Sequence, residues 1–274
     1  MRNPLLLVTG LKPGDGRPEW DLISILLLRG IISRIIGTEA EVRELVDETA
    51  FVMNWTRRIQ PEVIRRNRVV LNLHNSLLPR YRGRHAFAWA IIHDERHVGW
   101  TLHAMDESFD TGPIYAQCEF PVGTDDDIND VFVRGFEVLR TWLPDVLELF
   151  DAGLLTPTPQ DERLASYYRA RTEEDGRIEW SQPGHAIRNL VRAVRPPYTP
   201  GAFFRSDGRT FHVDRCFVEV DGTPHPPGLV LDCDAGSNAI RVACGDAILR
   251  LVLASRPGAP RATDLRCTML AVDR

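Results

Sequence analysis

The stretch "RVVLNLHNSLLPRYRG", residues 68–83, opens as an apolar run and closes on a loop rich in Pro, Arg and Gly. Its first residues, with two β-branched valines and a turn at the far end, read as a short buried strand. Asn72, His74 and Ser76 occupy alternate positions where that strand runs out. Alternation places Asn72 and His74 on one side, about 7 Å apart by strand rise, with Leu73 on the other. In open α/β sheets ligands bind outside the carboxyl ends of the strands. An amide N–H beside an imidazole at such a place suits acyl transfer, which needs a donor for the developing oxyanion and a base for the attacking group.

Working outward, the neighbouring segments alternate strand and helix signals. "LLLVTG" (5–10), "AFVMNW" (50–55), "VGWTLHAM" and "PIYAQCEF" read as strands; 20–29, 61–66, 85–95 and 126–150 read as helices. Thr124 or Asp125 is expected to cap the last of these, and Pro144 to kink it. This alternation predicts parallel pairing and a Rossmann-like, three-layer α/β domain. After about residue 150 the pattern changes. An amphipathic helix at 185–194 is followed by short alternating runs, "AFFRS", "TFHVDRCFVEV", "GLVLDC", "AIRVAC" and "AILRLVLA", separated by turn clusters. These suit a small closed or nearly closed antiparallel β-barrel. The expected division is 1–180 for the first domain and 181–274 for the second, which includes the connecting helix.

The chain has 274 residues, 43% of them hydrophobic and 26% charged, enough for a large core. Its net charge of −5 argues against nucleic acid as partner, and residues 151–274 hold 16 Arg against 16 Asp plus Glu. The run at 22–37 is broken by Arg29, Gly30 and Arg34, and "LLLVTG" lacks a cleavage site. No membrane span or signal peptide is therefore expected, and the reading is cytoplasmic. Cys118, Cys216, Cys233, Cys244 and Cys267 show no paired spacing, so neither a disulfide framework nor a metal site is expected. His93 and His97 lie four apart, but Asp94 stands where a zincin motif needs Glu; they read as a solvent-facing helix end. His103 is left open between pocket and packing.

An imidazole base needs a partner that fixes its tautomer and steadies its cation, usually a carboxylate. Asp110 in "MDESFDTGPI" is the best candidate, in a polar loop between two expected strands. Asn72-Leu73-His74, Ser76-Leu77-Leu78-Pro79, Tyr81-Arg82-Gly83, Trp89-Ala90-Ile91 and "GWTLHAMDESFDTGPI" (99–114) follow in order, with Asp110 lying 36 residues after His74. Together they resemble the folate-dependent formyltransferases, a group that includes methionyl-tRNA, glycinamide ribonucleotide and amino-sugar formyltransferases. The resemblance continues more weakly through 176–204 and 226–252, the latter similar to the family's carboxyl-terminal domain of oligonucleotide-binding barrel type. It fits residues 1–50 least well.

The resemblance implies transfer of a formyl group from 10-formyltetrahydrofolate to a primary amine. His74 would move the proton, Asn72 would donate to the oxyanion, and Asp110 would orient His74 and favour its protonated form. Thr56, Arg57, Arg58 and Arg84 would line the folate site together with Asp106, Glu107, Ser108 and Phe109. Ser76, Leu77 and Leu78 would supply an apolar wall. No metal is needed, because a neutral amine is already a nucleophile. "RYRGRHAFAWAI" (80–91) resembles the amino-sugar enzymes, so the expected acceptor is a nucleotide-linked amino sugar of lipopolysaccharide or O-antigen biosynthesis. Formylation of another amine (an amino acid, a peptide precursor or methionyl-tRNA) is the alternative. The expected partners are these small molecules, with a homodimer left open. Two departures bear on the acceptor. Ala86 stands where many relatives have proline, and the segment before Asn72 is short enough that a strand–helix unit is expected to be missing or abbreviated.

Overall fold

The computed structural model describes residues 4–12, 14, 17–197, 199–219, 224–255, 257–265 and 269–270. In chain order its elements are β1 (Leu5–Val8), α1 (Glu19–Leu28), β2 (Ile32–Ile36), α2 (Glu39–Arg43), β3 (Thr49–Val52), α3 (Pro61–Arg65), β4 (Val69–His74) and β5 (Arg82–Gly83). Then come α4 (Ala86–Ile92), β6 (His97–Ala104), β7 (Ile114–Pro121), α5 (Ile128–Asp151), β8 (Tyr167–Tyr168) and α6 (Gly184–Ala193). β9 (Ala202–Ser206), β10 (Arg209–Glu219), β11 (Val230–Asp234), β12 (Ala239–Ala243) and β13 (Ile248–Leu253) complete the order. Packing divides the chain into one unit of Met1–Ala86, His97–Pro121 and Phe132–Arg169, and a second of Phe87–Arg96, Val122–Val131 and Ala170–Arg274.

The first unit is Rossmann-like, built on a six-stranded sheet in the order β2-β1-β3-β4-β6-β7. β1 is buried along its whole length, as expected of a strand covered on both faces. Even-numbered Leu6, Val8, Ala50, Val52 and Val70 share one face and pack with Val42 of α2 and Val63 of α3. Burying each such Val, Leu or Ile side chain contributes about 1.5–3 kcal/mol. Asn72 and His74 continue the alternation of Val70, so they emerge where this apolar layer ends. Arg29, which caps the C-terminus of α1, bonds Asp145 at 3.0 Å and Glu148 at 3.1 Å on α5.

The expectation of parallel pairing holds for three of the five pairings. β1–β2, β1–β3 and β3–β4 are parallel, whereas β4–β6 and β6–β7 are antiparallel. β6 and β7 are joined by a loop with no crossover helix, a connection that serves antiparallel neighbours. Between β1 and β3 lie β2 and the five-residue α2, with Thr38 and Glu41 forming a reciprocal capping box at the helix start. α5 runs on through Pro144. Its cap is Asp127, whose Oδ1 accepts from Asn129 N at 2.7 Å, rather than Thr124 or Asp125.

The second unit holds a five-stranded antiparallel sheet in the order β11-β12-β13-β10-β9. The eleven-residue β10 pairs with β9 over its first half and with β13 over its second, with a register shift between Val213 and Arg215. A closed barrel would need β9 and β11 to pair, and among the described residues they do not. Cys118, Cys216, Cys233 and Cys244 are free thiols; Cys267 lies outside the described residues. Among the described residues no helix is long and apolar enough to cross a membrane.

Candidate active site

β4 pairs with β3 on one side and β6 on the other, and the register sets Asn72 opposite His103 and His74 opposite Thr101. The side chains of Asn72 and His103 meet, Nδ2 to Nε2, at 3.1 Å. His103 Nδ1 is 2.7 Å from the carbonyl of Ala104, so this nitrogen carries the proton. In the neutral ring Nε2 then accepts from one N–H of the Asn72 amide, leaving the second for another acceptor; in the protonated ring it faces Asp110 Oδ1 at 3.7 Å. His103, left open by the sequence, is a buried member of the site. Its signal is the antiparallel register of β4 and β6, which no local pattern encodes.

His74 is buried between two acceptors: Nε2 lies 2.9 Å from the carbonyl of Tyr81, and Nδ1 lies 3.6 Å from Asp110 Oδ1. The second distance is within reach of an ion pair but not of a hydrogen bond. Only the imidazolium satisfies both acceptors at once, yet burial outweighs Asp110 and lowers the pKa of His74 below its ordinary value. At rest the ring is therefore a neutral base, with a carboxylate placed to steady the cation once a proton arrives. Tyr81 was not anticipated in this role. It adopts a left-handed backbone (φ 60°) and stacks on Tyr168 at 5.0 Å.

Burial acts to raise the carboxyl pKa of Asp110. His103, the charge on His74 and the Gly83 N–H outweigh it and hold the group at about 2. Gly83 N donates to Asp110 Oδ2 at 2.8 Å. The "DTG" turn that carries Asp110 has φ 58° at Asp110 itself, and Gly112 approaches β6 so closely that a Cβ there would lie 1.9 Å from the Ala104 carbonyl oxygen. Asp106 organises the same loop, accepting from Ser108 N at 3.0 Å and from Thr111 Oγ1 at 2.5 Å.

These groups open on a cavity of about 310 Å³, a size suited to a small organic ligand. Asn72, His74, Asp110, Thr56, Arg57, Arg58, Arg84, Asp106, Glu107, Ser108 and Phe109 all line it, alongside apolar Val52, Trp55, Ile59, Ile64 and Met105. Arg58 lies over the exposed Phe109 ring at 5.6 Å, Arg84 donates to the Thr56 carbonyl at 2.5 Å, and Arg57 pairs with Glu39 at 3.3 Å. Glu107 is ion-paired with Arg65. Ser76, Leu77 and Leu78 are not part of this lining. Ser76 Oγ donates to the Arg80 carbonyl, Leu77 packs against Gly99, and buried Leu78 donates its N–H to Thr101. His93 and His97 are exposed, the former stacked on Trp89.

The buried Nε1 of Trp55 has no hydrogen-bond partner among the described residues. An unsatisfied donor in a cavity wall is one that the acceptor edge of a ligand would satisfy. Apolar walls with a few polar groups suit a planar heterocycle such as a pterin, which presents amide-like edges.

The formyl transferase family model matches residues 37–147, and the model of the family's C-terminal domain matches 171–263. A methionyl-tRNA formyltransferase of Sorangium cellulosum is 35% identical over 215 residues, which cover 77% of this chain and 68% of that one. Among solved structures, the N-formyltransferase of Helicobacter canadensis in complex with folinic acid and dTDP-3-aminofucose superposes with a TM-score of 0.70 at 16% identity, covering 92% of this chain and 99% of that one. HypX of Aquifex aeolicus in complex with tetrahydrofolic acid gives a TM-score of 0.67 at 21% identity, covering 92% of this chain but only 44% of its own. The chain thus spans about two thirds of the Sorangium relative and under half of HypX. With both of the family's models matched in order along the sequence, this chain belongs to the formyl transferase family, a family of enzymes.

Proposed function

We propose that the protein transfers a formyl group from 10-formyltetrahydrofolate to the primary amine of a nucleotide-linked amino sugar in the cytoplasm. The observation that carries this reading is the convergence of Asn72, His74 and Asp110 on one cavity at the carboxyl end of β4. When bound, the folate supplies an activated formyl group on nitrogen. Thr56, Arg57, Arg58 and Arg84 hold it with the Asp106–Phe109 loop, while Ser76, Leu77 and Leu78 support the strand end from behind. Asn72 directs its second Nδ2–H at the formyl oxygen, where negative charge develops; one such donor is worth roughly 10²–10³ in rate. His74 takes the proton given up by the amine as the new C–N bond forms. It then delivers that proton to the folate nitrogen as the old C–N bond breaks, and general acid–base help of this kind contributes about 10²–10⁴. Asp110 stabilises the transient imidazolium. Residues 1–180 form the catalytic domain in this reading, and 181–274 the second.

The amino-sugar acceptor is supported by the charge balance of residues 151–274, which offers no excess of cations for a tRNA backbone. Kinship with a methionyl-tRNA formyltransferase favours the second reading, in which charged initiator tRNA is the acceptor. Incubation with 10-formyltetrahydrofolate and a panel of amino-sugar nucleotides, beside methionylated initiator tRNA, separates them. A 4-amino-4,6-dideoxyhexose nucleotide is expected to be formylated far faster than the tRNA, and the reverse ranking overturns the acceptor assignment.

A further inference from the structure

We infer that Gln160 is a positioning residue for formyl transfer, fixing Asp110 by joining its turn to the buried guanidinium of Arg82; this rests on the reading of the site given above. Every hydrogen-bonding place on the Gln160 amide is occupied. Its Nε2 donates to the carbonyl of Asp110 and to that of Gly112, both at 2.8 Å. Its Oε1 accepts from Arg82 Nε at 3.0 Å and from Arg82 Nη2 at 2.7 Å. The amide cannot turn over without setting N–H against N–H and oxygen against two carbonyls. Arg82 is in turn immobile: its side chain is 0% exposed, it donates to Glu162 at 2.6 and 2.8 Å, and it bonds the Tyr167 hydroxyl.

Arg82 and Gly83 also pair with Tyr167 and Tyr168, and it is Gly83 N that donates to the Asp110 carboxylate. Gln160 therefore holds the backbone of Asp110 from the same strand pair that holds its side chain. Asp110 sits at φ 58°, a conformation a non-glycine residue keeps only when its surroundings impose it. With Gln160 gone, two carbonyls lose their donors, the turn relaxes, and the carboxylate drifts from His74.

The test combines turnover with the imidazole titration of His74 followed by NMR. Gln160→Ala is expected to lower kcat by about 10- to 100-fold, the cost of slight misplacement, with the KM for folate nearly unchanged. The titration of His74 should move to lower pH, because Asp110 acts to raise it. Gln160→Glu keeps an acceptor for Arg82 but opposes oxygen to both carbonyls, and should produce both changes. Gln160→Met fills the same volume and replaces the alanine variant if that one does not fold. Both changes together support the assignment. Unchanged kcat, or a fall in kcat with an unmoved His74 titration, overturns it. A wild-type chain that releases no tetrahydrofolate with any acceptor overturns the formyl-transfer reading instead.

Discussion

Asn72 and His103 lie directly opposite each other on antiparallel β4 and β6, and their side chains are joined at 3.1 Å. His103 is itself fixed through Nδ1 to the Ala104 carbonyl. The orientation of the Asn72 amide is thereby set by the sheet. In the proposed reaction Asn72 is the oxyanion donor, and such a donor acts by being aimed before charge develops.

Replacing His103 with Leu removes the acceptor while preserving an apolar volume. Asn72 then rotates freely, and kcat is expected to fall roughly 10- to 100-fold as the donor loses its aim. Steady-state kinetics check this; His103→Gln, which can still accept from Asn72, should recover part of the loss.

The pH dependence follows from the two displaced titrations. His74 has its pKa lowered, so the neutral base survives in the folded protein to below pH 6.5, and the acid limb of kcat/KM is expected below that value. In the same window the unfolded chain takes up the proton first, so His74 weakens the fold as pH falls through 6.5. Asp110 acts in the same direction at lower pH. Depressed from 3.8 to about 2, it contributes stability above pH 4 that is lost as pH falls through about 2. That contribution is roughly 2 kcal/mol for a side chain this buried. Asp110→Asn should abolish it in an acid-denaturation series and push the acid limb of activity lower still.

Gly112→Ala places a methyl group 1.9 Å from the backbone oxygen of Ala104, which cannot retreat without breaking β6. A loss of about 2 kcal/mol or more in denaturant unfolding is expected, together with loss of turnover. Gly37→Ala meets nothing within 4 Å and serves as the control, expected within about 0.5 kcal/mol of the parent.

Much of this was legible in the sequence because local pattern and global fold agree. β1, β3 and β4 are short apolar runs ended by turn formers, and the lone alternation of Asn72 and His74 is enough to set both on one face. Three things were not legible. β6 runs against β4, a direction that no local pattern encodes, and His103 was therefore not seen as a partner of Asn72. β2 follows α1 within one apolar run, and α2 is a charged five-residue helix whose start is marked by the Thr38–Glu41 capping box. The contacts of Arg82 with Gln160 and Glu162 span nearly 80 residues, so no local pattern marks its side chain as buried. Ser76, Leu77 and Leu78 show the converse. A motif can be specific to a family because it shapes the backbone behind a site.

In the proposed reaction His74 and Asp110 act on the transferred group, while the cavity binds folate independently of them. Its most direct test is to measure, in His74→Ala and Asp110→Ala, both kcat for formyl transfer and the dissociation constant for a non-transferable formyl-folate analogue. A fall in kcat of at least about a hundredfold is expected in each, with analogue binding retained. Turnover at the wild-type rate in either variant would contradict it.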